Sequence, residues 1–202
     1  MKTPAMYAIV AGLVLTTGLT EAQEKTPPPP DLVTRECSTC HGLRGISVSP
    51  MFPNLAGQQA VYLETQLKAF RDRSRADPHA QAFMWGMAAQ LTDSTITAIA
   101  AYFAAQPPAP GKPAGREESA AGKKIYEEGI PAQQVPACGS CHGEKAAGNA
   151  VFPRLAGQHR AYLERQLAAF ISNARANEIM HENSKNLTAL QISQLAAFLS
   201  AE

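Results

Sequence analysis

Every cysteine of the 202-residue chain lies in one of two C-x-x-C-H pentapeptides, at 37–41 and 138–142. Two thiols three positions apart can both reach the vinyl groups of one porphyrin, and the adjacent imidazole can then ligate its iron. The spacing therefore predicts two covalently attached c-type haems. The residues predicted to hold them are Cys37, Cys40, His41, Cys138, Cys141 and His142.

Three other uses of paired cysteines fit the sequence less well. Zinc sites built from two C-x-x-C pairs place ~15–20 residues between the pairs, whereas these pairs belong to two separate copies of a repeated sequence. A thioredoxin-like dithiol would lie in a βαβ pattern, and no alternating or β-branched run supports one. Structural disulfides suit an exported protein but give no reason for a histidine after each pair.

The two halves of the chain repeat one another. Residues 52–70 and 152–170 are identical at 13 of 19 positions, and both copies begin with F-P-x-L-A-G-Q. A Y-L-x-x-Q-L segment follows in each copy, with its apolar residues at helical spacing along one face. The sequence therefore predicts a duplication of one helical unit.

Helical signals fill both units, and the absence of strand signals predicts an all-α fold class. Thr188 and Gln191 fit a capping box at the start of the last helix, and Thr92 precedes the matching helix in the first copy. A further helix, 117–128, is predicted to open the second copy. Units this small often need a cofactor as part of their core.

The N-terminus and a proline-rich stretch divide the chain. Lys2, an apolar run of about 15 residues and Thr20-Glu21-Ala22 are typical of a secretory signal peptide; the alternative, an uncleaved anchor, would need ~20 apolar residues. Residues 107–116 contain four prolines and two glycines and are predicted to form a semi-rigid linker. The predicted boundaries are signal peptide 1–22, domain 1 at 23–106, linker 107–116 and domain 2 at 117–202.

Methionines at matching positions are the candidate sixth ligands of the two irons. Met84 and Met180 each lie seven residues before a Leu-Thr pair that starts a helix. A methionine ligand gives an electron-transferring iron with a raised potential, whereas an open position favours ligand chemistry. Met87 has no methionine counterpart and Met51 follows the first motif by only ten residues, so both are interpreted as packing residues.

Other histidines are weaker candidates. His181 follows Met180, but its counterpart is Trp85, which cannot ligate iron, so His181 is interpreted as a neighbour of the site or a surface histidine. His79 and His159 have no histidine counterpart and are predicted to lie at the surface.

Several repeated residues are candidates for supporting roles. Axial histidines usually donate their other ring N–H to a carbonyl or carboxylate, and the carbonyls of Pro53 and Pro153 are the predicted acceptors. Four more residues suit either hydrogen bonds to haem propionates or helix packing: Arg75, Arg175, Tyr62 and Tyr162.

Composition excludes nucleic acid as a partner. The net charge is +1, aromatic residues make up 6% of the chain, and no long basic run occurs. Near-zero charge also gives little electrostatic steering toward any particular partner.

As a set, these motifs resemble the dihaem cytochrome c4 family, over residues 30–199. The resemblance implies two tandem class I cytochrome c domains, each around one covalent haem c, related by a pseudo-twofold axis with haem edges facing across the interface. One departure is visible: only 30–36 precede the first haem motif, so the opening helix of domain 1 is expected to be stunted. The carried-over iron ligands are His41 with Met84 and His142 with Met180.

The resemblance also implies a function. Such a protein is a periplasmic electron carrier, not an enzyme, and passes electrons from a quinol-oxidising complex or small redox protein to a terminal oxidase of the respiratory chain, often in loose association with the membrane. Two alternatives stay open: an electron-transfer subunit of a dehydrogenase or oxidase complex, and a haem enzyme acting on peroxide or sulfur compounds. The enzyme would need an open or differently ligated haem.

Overall fold

The computed structural model describes residues 30–202, and the predicted signal peptide, 1–22, lies outside that range. Across the described residues the structure is helical, and strand pairing is limited to two isolated bridges, Ile130 with Val135 and Asn149 with Phe152. The predicted all-α class is therefore confirmed. No helix in this part of the chain has the length and apolar character needed to cross a membrane.

Within residues 30–202 the α-helices follow one another in the same order in both halves, apart from one extra helix in the second. They are α1 Ser38–His41, α2 Ala60–Arg71, α3 Trp85–Ala88, α4 Asp93–Ala104, α5 Arg116–Glu128, α6 Gly139–His142, α7 Arg160–Ile171, α8 Glu178–Ser184 and α9 Ala189–Ala201. A π-helical turn, Val33–Cys37, precedes α1. A second π-helical turn, Ala80–Met84, and two 3₁₀ turns, Pro131–Gln133 and Glu144–Ala146, lie between the later helices.

Each half is built on one helix pair. α2 packs against α4 in the first half, and α7 packs against α9 in the second. In both pairs the first helix buries the leucine and the final phenylalanine of its repeated segment, Leu63 and Phe70 or Leu163 and Phe170. The 3.6-residue period places these side chains on one face, so the repeated sequence produces the repeated core.

The extra helix of the second half is α5, close to the predicted 117–128. It lies across α9, and Gly122 permits the approach because a Cβ there would collide with the Gln194 carbonyl and with Phe198. In the described part of the first half only the Val33–Cys37 turn precedes the motif helix, and Val33 is fully buried in the core. The expected stunting of the opening helix of domain 1 stays a prediction, because residues 1–29 lie outside the described range.

Helix starts follow the predicted caps. Thr188 caps α9 in a complete capping box with Gln191, as predicted. Thr92 caps α4 by accepting a hydrogen bond from the Thr95 N–H, without the returning bond. Both threonines satisfy a backbone donor that the first helical turn leaves unpaired.

The proline-rich stretch runs against both halves. Pro108 lies where a side chain on Gly57 would point, and the Ala109 carbonyl lies where one on Gly157 would point. Both glycines have positive φ values, 65° and 70°, which favour glycine on conformational grounds as well. The segment 107–116 therefore docks on the F-P-x-L-A-G-Q loops of both halves, and the domain boundaries drawn at its ends stay a prediction.

Candidate functional site

The two C-x-x-C-H motifs form matching short helices. α1 and α6 begin directly after the first cysteine of each motif and end at glycines with φ of 74° and 79°, Gly42 and Gly143. His41 and His142 are the last residues of these helices, and each is 7% exposed. Each half therefore holds one buried imidazole on the same helical turn as two cysteines.

Both histidines are held by the predicted proline carbonyls. His41 Nδ1 donates to the Pro53 carbonyl at 2.9 Å, and His142 Nδ1 donates to the Pro153 carbonyl at 3.0 Å. Burial lowers the pKa of both imidazoles, although the proline carbonyls partly oppose the shift. The rings are therefore neutral, with Nδ1 carrying the proton and Nε2 keeping its lone pair, which is the form that ligates a metal.

The phenylalanine of F-P-x-L-A-G-Q packs edge-on against each imidazole. The ring centroids lie 6.0 Å apart for Phe52 and His41 and 6.2 Å apart for Phe152 and His142. In the first half Phe52 also contacts Phe83, at 5.3 Å between centroids. Since Phe83 directly precedes Met84, this contact joins the histidine loop to the segment that bears the methionine.

The two candidate methionines lie in different local structures. Met84 ends the Ala80–Met84 π-helical turn and packs on the buried cluster of Phe70, Ala80 and Ala88. Met180 lies in α8, where its N–H donates at 2.9 Å to the Oδ1 of Asn177, the N-cap residue. Both methionine side chains are half-buried, and their assignment as sixth ligands stays a prediction.

The competing residues lie elsewhere. Met51 and Met87 are 46% and 41% exposed, so the interpretation of both as packing residues was wrong, and the preference for Met84 as the ligand stays a prediction. His181 Nδ1 donates to the Phe170 carbonyl at 3.0 Å, and the indole of its counterpart Trp85 donates to the Arg75 carbonyl at 2.9 Å. Both side chains therefore tie the methionine-bearing segment to the chain before it.

All four cysteines are in the described part of the chain, and none of them forms a disulfide. Burial, helped by the charge of Glu36, raises the pKa of Cys37, and burial raises that of Cys138 to about 11. The two pairs lie in separate halves, each beside its own histidine, and the described residues contain no βαβ unit. This arrangement disfavours one shared zinc site and a thioredoxin-like dithiol.

The repeated arginines lie between the two halves. Arg175 donates to Tyr62 Oη at 2.9 Å and to Gln66 at 2.7 Å, and Arg75 donates to Gln166 at 2.8 Å. We call this group the arginine cluster; its members are Arg75, Arg175, Gln66, Gln166, Tyr62, Tyr162 and Asp77. Sequence reasoning left propionate binding and helix packing open for these residues, and the cluster shows that they join one half to the other.

Charge in the arginine cluster is unbalanced. Two buried guanidinium groups face one buried carboxylate, Asp77, because the residue matching it in the second half is Asn177. Burial works against ionisation of Arg75, yet Tyr162, Tyr62 and Asp77 raise its pKa. For Tyr62, burial acts to raise the pKa, but the positive charges of Arg175 and Arg75 outweigh burial. The pKa of the Tyr62 phenol therefore falls below its usual value.

These features fit a haem in each half. A neutral imidazole with a free Nε2 and two unpaired thiols within five residues are the donors that c-type attachment requires. The surplus positive charge of the arginine cluster and the buried, unpartnered Nε of Arg154 suit an acidic group such as a propionate.

Some residues at the interface were not foreseen from the sequence, and His159 and Asn54 are two of them. His159, predicted to lie at the surface, is 4% exposed, and its Nε2 donates to the Ser47 carbonyl of the first half at 3.0 Å. That prediction was wrong, because a residue without a counterpart in the other copy can still lie between the copies. Asn54 also crosses, donating from Nδ2 to the Gly157 carbonyl at 2.9 Å.

Comparison with known proteins gives a consistent result. The family model for cytochrome c matches the chain twice, at residues 30–106 and 119–201. Cytochrome c-552 of Acidithiobacillus ferridurans is 40% identical over 200 residues, covering 96% of this chain and 86% of that protein. The structure of cytochrome c4 from Acidithiobacillus ferrooxidans has a TM-score of 0.79 at 42% identity and covers 82% of this chain and 98% of that chain.

One further structural relative differs in size. The thiosulfate dehydrogenase of Marichromatium purpuratum has a TM-score of 0.72 at 35% identity, covering 81% of this chain but only 36% of that chain. The similarity therefore concerns one part of a larger protein.

Proposed function

We propose, because the chain belongs to the dihaem cytochrome c4 family, that His41 with Met84 and His142 with Met180 are the axial pairs of its two covalent haem c groups. The chain is an electron carrier, and we propose that it performs no substrate chemistry of its own. The observation that most supports the ligand assignment is the repeated histidine–proline unit. In each half, one proline carbonyl holds one neutral, buried imidazole. Bound haem supplies an iron that accepts and releases one electron.

The residues of the chain control how the iron is held. The proline carbonyl fixes the ring orientation of each histidine and strengthens Nε2 as a donor. The methionine thioethers of Met84 and Met180 would hold the iron opposite the histidines, favour its reduced state and leave no free site for small ligands. The cysteines would attach the cofactor, and the phenylalanine ring beside each imidazole packs edge-on against it.

We propose that the carrier works in the periplasm. Residues 1–22 have the pattern of an export signal, and c-type haem is attached outside the bacterial cytoplasm. The proposed donor is a quinol-oxidising complex or small redox protein, and the proposed acceptor is a terminal oxidase, with loose attachment to the membrane.

A second candidate function is that of a bound electron-transfer subunit. The similarity to part of the Marichromatium purpuratum thiosulfate dehydrogenase supports it, since the matching region makes up about a third of that chain. The haem ligation would be the same in both cases. Isolation from native membranes, with or without a tightly bound dehydrogenase or oxidase, separates the two.

Spectroscopy of the purified holoprotein tests the ligand assignment. The parent should carry two haems per chain, and Met84→Ala and Met180→Ala should each remove about half of the methionine-to-iron charge-transfer band. Met87→Ala is the matched control, since its side chain is exposed, and should leave the band unchanged. Loss of the band in the control, or rapid stoichiometric binding of carbon monoxide by the reduced parent, would contradict the proposal.

A further inference from the structure

The glutamine that ends each F-P-x-L-A-G-Q motif bonds to the backbone of the opposite half. Gln58 and Gln158 are each 8% exposed. Gln158 Oε1 accepts from the Asn54 N–H and Gln158 Nε2 donates to the Asn54 carbonyl, both at 2.9 Å. Gln58 makes the same pair of bonds with Arg154, at 2.7 and 2.9 Å. A primary amide can donate and accept at once, so each glutamine holds one residue of the other half from both sides.

The amide oxygens are also anchored in their own halves. Gln58 Oε1 accepts from the Gln59 N–H at 3.0 Å, and Gln158 Oε1 accepts from the His159 N–H at 2.9 Å. Those two donors stand at the starts of α2 and α7, where backbone N–H groups lack partners within the helix. Each oxygen is therefore fixed between a helix start and the loop of the opposite half.

The loop residue that each glutamine holds is next to the proline that holds the histidine. The Asn54 N–H and the Pro53 carbonyl belong to one peptide unit, which is planar, so a bond at its N–H also orients its carbonyl. Hydrogen bonds thus run in series from His41 Nδ1 to the Pro53 carbonyl, and from the Asn54 N–H to Gln158. The second half has the same series from His142 through the peptide of Pro153 and Arg154 to Gln58.

We infer that Gln158 is a positioning residue for the axial histidine of the first half, and Gln58 for that of the second. The inference rests on the proposed function, because it requires His41 and His142 to ligate iron. Hydrogen bonds in series polarise one another, so each glutamine makes the proline carbonyl a stronger acceptor and the imidazole more basic toward the iron. A more basic histidine favours the ferric state, so losing the glutamine raises the potential of the haem in the other half.

The test uses holoprotein with ¹⁵N-labelled histidine. Gln158→Ala should shift the His41 Nδ1–H resonance in the direction of a weaker hydrogen bond and move one of the two reduction waves to a more positive potential. The His142 resonance and the other wave should stay in place. Gln58→Ala should give the reverse assignment, which a general loosening of the interface would not do.

Two further variants keep the outcome decisive. Gln158→Glu retains an acceptor oxygen for the Asn54 N–H, so it should keep the His41 resonance closer to that of the parent than Gln158→Ala does. Gln59→Ala also removes a glutamine bond between the halves, to the Ala147 carbonyl at 3.3 Å, but away from the Pro153 peptide. It should move neither resonance.

Joint movement of both histidines in Gln158→Ala, no movement, or the same shift in Gln59→Ala would overturn the inference while leaving the proposed function intact. A parent protein without the histidine–methionine spectrum removes the proposed function, and this inference with it.

Discussion

The two halves are alike around the histidines and unlike in the elements that cover them. His41 and His142 have the same exposure and the same bond to a proline carbonyl. The second half has α5 across α9, whereas the described part of the first half has only the Val33–Cys37 turn before its motif helix. The duplicated chain has therefore kept what holds the imidazole and varied the surrounding scaffold.

The methionine-bearing segments differ in the same way. Asn177 caps α8 through the Met180 N–H, whereas the matching Asp77 forms a buried ion pair with Arg75 at 2.9 Å. One substitution between copies thus changes a helix cap into a charge partner for the arginine cluster. We expect this difference to be the largest energetic asymmetry between the halves.

Replacing the two arginines separately measures that asymmetry. Arg75→Met leaves the Asp77 carboxylate buried without its partner and should lower the free energy of unfolding by about 3–5 kcal/mol. Arg175→Met leaves only neutral hydrogen-bonding groups unpaired and should cost about 1–3 kcal/mol. Guanidinium unfolding of the holoproteins, followed by far-UV circular dichroism, gives both values. Equal costs would show that Asp77 adds nothing to the first half.

The pH dependence of the same variants is an internal control. In the parent, burial acts to raise the pKa of Asp77, but Arg75 outweighs burial, so the pKa lies below its usual value. The stability that the ionised Asp77 contributes is therefore lost only as the pH falls through that lower value. In Arg75→Met the strongest influence that lowers the pKa of Asp77 is gone, and only Arg175 and the Ala80 N–H still oppose burial. Protonation of Asp77 therefore relieves the variant as the pH falls. Its destabilisation relative to the parent should therefore shrink between pH 7 and about pH 4, the usual carboxyl range. That of Arg175→Met should change less over the same range, because Arg175 lowers the pKa of Asp77 less than Arg75 does.

The extra helix of the second half provides the next comparison. Gly122→Ala puts a methyl group into the contact between α5 and α9 and should cost about 1–3 kcal/mol through overpacking. Gly86→Ala in α3 of the first half is the matched control, since nothing lies within 4 Å of its added Cβ. It should stabilise the protein by about 0.5–1 kcal/mol, because alanine favours a helix over glycine. Thermal unfolding of both holoproteins distinguishes the two signs.

Local patterns in the sequence were sufficient for the parts of the fold that depend on neighbouring residues. Helical periodicity predicted α2 and α7, the Thr-x-x-Gln pattern predicted the cap of α9, and matching prolines predicted the acceptors for the histidines. Each of these features is fixed within about a dozen residues along the chain. The repeat supported the helix and proline predictions in particular, because those two patterns occur in both copies, whereas the Thr-x-x-Gln pattern at a helix start occurs only in the second.

Contacts between the copies could not be predicted in this way. Gln58, Gln158 and the paired arginines repeat in both halves, and a repeated residue can serve either the haem or the other copy. His159 does not repeat and was wrongly assigned to the surface, although it donates to Ser47 across the interface. Partners about 100 residues apart leave no periodicity between them. The repeat therefore draws attention to the glutamines and arginines but does not identify the residues that they contact.

The helix caps give the smallest difference between the halves. Thr92→Ala and Thr188→Ala each remove a side-chain acceptor at a helix start and should cost about 1 kcal/mol. In the second half the cap also has a second bond, in which the Thr188 N–H donates to Gln191 Oε1 at 2.8 Å. Gln191→Ala should therefore cost about 0.5–1 kcal/mol.

The residue that matches Gln191 in the first half is Thr95, whose hydroxyl bonds to that of Thr92 rather than to its N–H. Thr95→Ala should therefore cost less than Gln191→Ala. Because Gln191 also donates to Gln133 at 3.0 Å, Gln133→Ala measures the part of the loss that does not belong to the cap. Hydrogen exchange at the Thr188 amide should accelerate in Gln191→Ala and stay unchanged in Gln133→Ala. The same rate in both variants would assign the stabilisation to the glutamine pair, and the two helix starts would then be equivalent.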